Sequence, residues 1–169
     1  VGNANLINKD ASLSSKSIKY SGNNNDVYAE GDAYLSNTHS NISANSIYYI
    51  KDRGYNGYSF EAKGDVIASD SHNTLNGDMI IYTDSTQYMS ILNNASITNS
   101  NQRLIGENIF IQFQDSTINY INIDEKPIAF NSVSAKLYDE SPYNEYFDTI
   151  FGKSMLIQYD KNKIKELTI

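Results

Sequence analysis

The chain of 169 residues has no cysteine, only two prolines (Pro127 and Pro142), few basic residues and no long apolar run. Without cysteine there is no disulfide framework and no thiol chemistry. No apolar stretch approaches the roughly 20 residues that a membrane-spanning helix needs, and no charged-then-apolar leader opens the chain, so it is expected to be soluble. The 13 Lys and Arg face 20 Asp and Glu, a formal charge of −7. Affinity for nucleic acid comes largely from Lys and Arg neutralising phosphates, so this balance argues against DNA or RNA as a partner.

What fills the chain instead is Asn, Ser, Ile and Tyr, with 14 tyrosines. Ile and Tyr favour strands while Asn, Ser and Asp favour turns, which predicts many short strands joined by tight turns. An Asn- and Ser-rich chain invites a reading of disorder, but here the apolar residues alternate at period two instead of being scarce. Gly or Asn interrupts nearly every candidate helix, so the chain reads as all-β. Its length and its 40% hydrophobic content fit a single elongated domain, 1–169, with a thin core.

The strongest signal is internal repetition. The stretch 31–49, GDAYLSNTHSNISANSIYY, recurs best at 64–82, GDVIASDSHNTLNGDMIIY. Copies of its first strand, G-x-A-x-L-x-N, start at Gly2, Gly31, Gly64 and Asn93, a period of about 30 residues in the range of stacked repeat architectures. Alternation places Ala33, Leu35, Val66, Ala68, Ala95 and Ile97 on one face. A second element, L-x-G-x-x-I-x-Y, follows at Leu13, Ile42, Leu75, Leu104 and Ile150, and its Leu-to-Ile step is five residues in every copy. An odd step flips a regular strand's face, so keeping both ends inward requires a bulge or corner at the small residue between them, Ser15, Ala44, Gly77, Gly106 or Gly152. Turns then open on Asp52, Asp84, Asp115 and Asp160, and a last strand leads to the next copy. The regularity fails between 126 and 147. There Ile128 and Phe130 are expected to keep a strand, 131–149 to be irregular, and 139–145 to form a surface loop around Pro142. The chain begins at Val1-Gly2-Asn3-Ala4, already inside a copy, which leads to the expectation that it is excised from a longer precursor.

The segments Ala29-Glu30-Gly31-Asp32-Ala33-Tyr34-Leu35 and Ile42-Ser43-Ala44-Asn45-Ser46-Ile47-Tyr48-Tyr49, with their copies Ala62-Lys63-Gly64-Asp65-Val66 and Leu75-Asn76-Gly77-Asp78-Met79-Ile80-Ile81-Tyr82, carry a resemblance. The chain resembles the OstA-like family of lipopolysaccharide-transport proteins, which includes LptA, LptC and the N-terminal part of LptD. The likeness is best over 27–99. It implies a repeat-built open β-jelly-roll (a β-taco), two antiparallel sheets meeting at a V around an apolar interior that holds acyl chains. It also implies a non-enzymatic carrier or bridge module for transport to the outer membrane, sited in the periplasm beside inner- or outer-membrane transport machinery. Its partners would be lipopolysaccharide or a related glycolipid, and other OstA-like domains (self, LptC-like or LptD-like) joined end to end by strand pairing. No cofactor and no metal are expected. Two departures stand out: Asn93-Asn94 and Glu125-Lys126 replace the Gly-Asp opening, so the groove is expected to become irregular toward the C-terminal end.

On this reading the groove is lined by Ala33, Leu35, Ile42, Ile47, Phe60, Val66, Leu75, Ile80, Met89, Ile91, Ile97, Leu104 and Ile109. Apolar stripes alone read first as a closed core; the resemblance turns them into a lining. His39 and His72, each eight residues past a repeat start, invite a metal reading, but the next copy has Asn101 and stable sites need three or four ligands. The aligned aspartates are better turn formers than paired catalytic carboxylates or a calcium ladder. Lys51, Arg53, Lys63 and Arg103 are candidates for meeting lipid phosphates at the mouth. Two other functions stay open at this point: a structural or adhesive β-solenoid spacer without lipid, and a β-helical carbohydrate-active enzyme.

Overall fold

The structure, a computed structural model, describes residues 3–7, 9–22, 25–51, 57–100, 102–115, 117–133, 146–160 and 163–169. The described residues form fourteen strands and no helix: β1 (Ala4–Ile7), β2 (Ala11–Ser15), β3 (Ser17–Ser21), β4 (Asp26–Asn37), β5 (Ser40–Lys51), β6 (Tyr58–Asp70), β7 (Thr74–Thr83), β8 (Tyr88–Thr98), β9 (Gln102–Gln114), β10 (Thr117–Asp124), β11 (Ile128–Val133), β12 (Tyr146–Phe151), β13 (Ser154–Asp160) and β14 (Lys163–Thr168). All pair antiparallel in one open sheet, with β3 beside β4 and with β11 between β9 and β12. This is the repeat-built all-β jelly-roll that the sequence led us to expect.

The strands are longer than the motifs suggested. The closing strand of one repeat and the opening strand of the next run together, so Gly31 and Gly64 sit in the middle of β4 and β6, not at a strand's start. Register shows why. Lys63 faces Met79 and Val66 faces Gly77, which leaves Gly64 and Asp65 standing against Asp78 alone. A two-against-one arrangement is a β-bulge, and it bends the strand that carries it. Both residues take left-handed φ angles, 79° and 48°, as do Gly31 (81°) and Asp32 (50°) on β4 and Asn93 (57°) and Asn94 (54°) on β8. The corner required by the five-residue step is therefore present, but its extra residue lies on the facing strand; Ala44, Gly77 and Gly106 take the plain side of it.

Asn93-Asn94 and Glu125-Lys126 do not interrupt this pattern. Glu125 (φ 55°) and Lys126 (φ 52°) make the same turn between β10 and β11. Asn tolerates this conformation nearly as Gly does, because its short amide bonds locally, so the departure from Gly-Asp changes the residues and not the bend. The expected irregularity toward the C-terminal end is absent at these two corners.

Along the inside of the bend runs one unbroken row of cross-strand partners: Ala29, Ile47, Ala62, Ile80, Ile91, Ile109, Ile123 and Met155. None is more than 1% exposed. Just across the corner sits a row of small side chains, Ala33, Ala44, Val66, Gly77, Ala95 and Gly106, and the large row leans over it. A Cβ added to Gly77 would lie 2.7 Å from Ile91 Cγ2; one on Gly106 would meet Ile123 Cγ2, and one on Gly152 would meet Ile169 Cγ2. Small opposite large is what lets the two halves of the sheet close at the fold line.

At the far end, Ile128 and Phe130 lie in β11, which pairs with β12, so residues 131–133 and 146–149 are strand and not loop. The expected surface loop at 139–145, with Pro142, lies outside the described residues, as do Val1, Gly2, Asp52 and Arg53.

Two stability measurements test the corner. Gly106→Ala should cost about 1–3 kcal/mol by overpacking, and the double variant with Ile123→Ala should cost less than the sum of the two single changes in chemical denaturation. Lys126→Gly should raise stability by about 0.5–1 kcal/mol, because glycine carries no penalty for a left-handed φ.

Candidate functional site

Away from the bend the two halves of the sheet diverge and face one another as arms. One arm presents an aliphatic row, in register from Leu13 through Leu35, Ile42, Ala68, Leu75 and Ile97 to Leu104. The other presents an aromatic-rich row from Val27 through Tyr49, Phe60, Tyr82 and Met89 to Ile111. The rings on this arm touch: Tyr49 stacks on Tyr58 at 5.3 Å, Phe60 lies 5.9 Å from Tyr82, and Phe113 meets Tyr82 edge-on at 6.3 Å.

Between the arms are two apolar cavities. The first, of about 240 Å³, is walled by Ile42, Ala68, Leu75 and Ile97 from the aliphatic arm and by Phe60, Met89, Ile111, Phe113 and Ile118 from the other. The second, of about 300 Å³, lies toward the N-terminal strands and is walled by Leu6, Leu13, Leu35, Val27, Ile47, Tyr49 and Tyr58. Leu35 pairs with Ile42 and Tyr49 with Phe60, so the two cavities follow one another along the same trough.

The expected lining residues divide by their distance from the bend. Leu35, Ile42, Ile47, Phe60, Leu75, Met89 and Ile97 wall these cavities. Ala33, Val66, Ile80, Ile91 and Ile109 are sealed at the corner at 0–1% exposure, and Leu104 is buried in the aliphatic row. Sequence reasoning did not place Leu13, Val27, Tyr49, Tyr58, Ile111, Phe113 or Ile118 on the walls. Alternation from Ile47 would have found Tyr49, which it puts on the inward face and which pairs with Phe60.

The arms end in turns with a shared construction. Asn37 Oδ1 accepts the N–H groups of His39 (2.8 Å) and Ser40 (2.7 Å), and Asp70 Oδ1 accepts those of His72 (2.7 Å) and Asn73 (2.7 Å). Asn99 Oδ1 accepts the Gln102 N–H at 2.7 Å. His39 and His72 thus sit in turns through their backbones. Among the described residues no group of three or more His, Asp or Glu is placed to hold a metal. On the aromatic arm Asp84 caps its own turn, accepting from Gln87 Nε2 (2.9 Å) and from the Tyr82 hydroxyl (3.0 Å). Of the candidate cations, Lys63 lies beside the corner and pairs with Glu61 at 2.6 Å, away from the mouth. Lys51 ends β5 at the aromatic lip, and Arg103 is exposed beside the inward Leu104.

Burial pushes the Tyr49 phenol above its ordinary pKa, with Tyr58 and Asp84 adding to the shift, and burial does the same to Tyr159. Both are neutral hydroxyls at physiological pH. Burial also tends to raise the Asp70 carboxyl, but the N–H donors of His72 and Asn73 and the Asn73 amide outweigh it and hold the group below the usual carboxylate range. The site has apolar walls and hydrogen-bonding lips.

No protein-family model matches the chain, and no curated protein matches it in sequence. Fold comparison is informative. The chain has the open β-jelly-roll of the LptA-like, OstA-type proteins. The crystal structure of LptH, the LptA-homologous periplasmic component of the lipopolysaccharide transport device of Pseudomonas aeruginosa, superposes with a TM-score of 0.57. The alignment covers 83% of this chain and 93% of that one at 13% identity.

Asp70 gives a test of the lip. Its folded-state pKa is depressed, so its contribution is present above the ordinary carboxylate pKa and is lost as pH falls through the folded value. Asp70→Asn should preserve the turn, since Asn37 and Asn99 do the same work, whereas Asp70→Ala should cost about 0.5–1 kcal/mol. Unfolding measured from pH 7 to pH 2.5 should show the wild type losing its advantage over Asp70→Ala while Asp70→Asn keeps its own.

Proposed function

We propose that this chain is a non-enzymatic carrier module that shields the acyl chains of lipopolysaccharide or a related glycolipid in its trough on the way to the outer membrane. The observation that carries the proposal is the pair of consecutive apolar cavities walled from both arms, inside a fold shared with a periplasmic lipopolysaccharide-transport component. On this reading the chain works in the periplasm as one domain. Acyl chains need no specific chemistry from the wall. Each buried methylene contributes roughly 0.8 kcal/mol, so about ten of them reach about 8 kcal/mol, in the micromolar range before ordering costs.

The ends of the sheet support partnership with further modules of the same kind. Among the described residues β1, β3, β12 and β14 are each bonded on one side only. Several large apolar residues near these edges are exposed, led by Ile7 at 74%, Phe151 at 66% and Ile169 at 60%. Ile169 lies over Gly152 as Ile91 lies over Gly77, so the small-under-large packing of the corner reaches the β14 edge, and an edge strand is a template for pairing with a further chain.

Expressed in a Gram-negative periplasm, the chain should co-purify with lipid detectable by mass spectrometry, and Leu75→Arg or Met89→Arg should remove it while the β-sheet circular-dichroism signal persists. A lipid-free wild type whose folded arginine variants behave identically would sink the carrier reading and favour a spacer. Deleting 163–169 should shift concentration-dependent oligomers toward monomer in analytical ultracentrifugation; oligomers that survive unchanged would move the contact elsewhere.

A further inference from the structure

The two apolar cavities share no wall residue. The line between them falls within two pairs of neighbours in the sheet. On the aromatic arm Tyr49 and Phe60 are register partners on β5 and β6, yet Tyr49 walls the cavity nearer the N-terminal strands and Phe60 walls the other. On the aliphatic arm Leu35 and Ile42, partners on β4 and β5, divide in the same way. The boundary therefore crosses β5 obliquely, from its β4 side on one arm to its β6 side on the other.

The rings at this boundary are each packed from their own side. Tyr49 stacks on Tyr58 at 5.3 Å, and Phe60 lies 5.9 Å from Tyr82, which in turn meets Phe113 edge-on. Such ring contacts add to burial and resist the turning away of either ring. From the other arm comes Ile42, buried at 8% exposure. Volume then decides where wall chemistry does not. An apolar cavity of about 150 Å³ takes one benzene, six carbons. Cavities of about 240 and 300 Å³ correspond on that scale to about ten and about twelve carbons. A longer chain would have to displace the boundary side chains or leave its end outside the apolar walls.

We infer that the trough is compartmented at Tyr49 and Phe60, takes a separate acyl chain into each cavity, and so favours chains of about ten to twelve carbons over longer ones. The inference rests on the carrier reading above and narrows its ligand, with Phe60 as a side chain that sets the limit.

The test uses the purified chain and saturated fatty acids of eight to sixteen carbons, with bound molecules counted by native mass spectrometry and affinities taken from titration calorimetry. Affinity should rise about fourfold per added methylene up to about twelve carbons and level off beyond. At least two molecules of the twelve-carbon acid should bind per chain. Phe60→Ala should join the cavities and raise the affinity of the sixteen-carbon acid relative to the twelve-carbon acid about fifteenfold, the worth of two newly buried methylenes. Tyr49→Ala should do the same, so a fold lost in one variant leaves the other to decide. A wild type that binds a single twelve-carbon acid, or whose affinity keeps climbing through sixteen carbons, overturns the compartment inference and leaves the carrier reading standing. So do folded boundary variants that keep the wild-type ranking, or an equal rise in Met89→Ala, which widens one cavity away from the boundary. A protein that binds no acid of any length overturns both.

Discussion

The fold depends on pairs of residues held at positive φ in the middle of long strands. An antiparallel sheet of this length would otherwise twist without folding back, and its apolar face would have nothing to bury against. Two consecutive left-handed residues on every second strand, each pair set against a single residue on its neighbours, impose a bend at the same height throughout. The conformation costs about 1–2 kcal/mol for an ordinary residue and less for Gly, Asn or Asp. Burying one isoleucine of the inner row returns roughly 2–3 kcal/mol, so the bend is favourable once its inside is filled.

Filling the inside sets everything farther out. Close to the corner only one row of large side chains fits, and the facing row must be Gly, Ala or Val; Gly77 and Gly106 lie under Ile91 and Ile123 for that reason. At the next inward position, the apolar rows that face each other leave cavities between them. The trough is thus a geometric result of a fixed bend and a fixed strand spacing.

This geometry explains what could be read from sequence and what could not. Period-two alternation and the recurring Gly-Asp pair made the all-β repeat fold legible, and the five-residue step from Ile42 to Ile47 marked a corner in each copy. The step did not reveal which strand carries the extra residue, because that is a property of register between strands and not of either strand alone. Nor could it separate Ile80 and Ile91, which seal the bend, from Leu75 and Met89, which wall a cavity. All four are inward apolar residues, and what differs is their distance from the corner. Asn93-Asn94 and Glu125-Lys126 were opaque for a related reason: a left-handed pair is visible in sequence when it is Gly-Asp and nearly invisible when it is Glu-Lys.

The walls and the lips then answer different chemical questions. Burial of methylenes against Leu, Ile, Phe and Met is nondirectional, so apolar walls of this kind do not by themselves tell one apolar chain from another. Direction enters only where hydrogen-bonding groups are fixed, and here those groups are the turn residues that close each hairpin. The interactions that shape the turn at 70–73, the Asp70 carboxylate with the His72 and Asn73 N–H groups, also aim the His72 and Asn73 side chains at the hollow beside the apolar cavity. Strand-to-strand connection and the polar lining of the mouth thus draw on the same few residues, and a change of turn sequence alters that lining without disturbing the bend on which the fold rests.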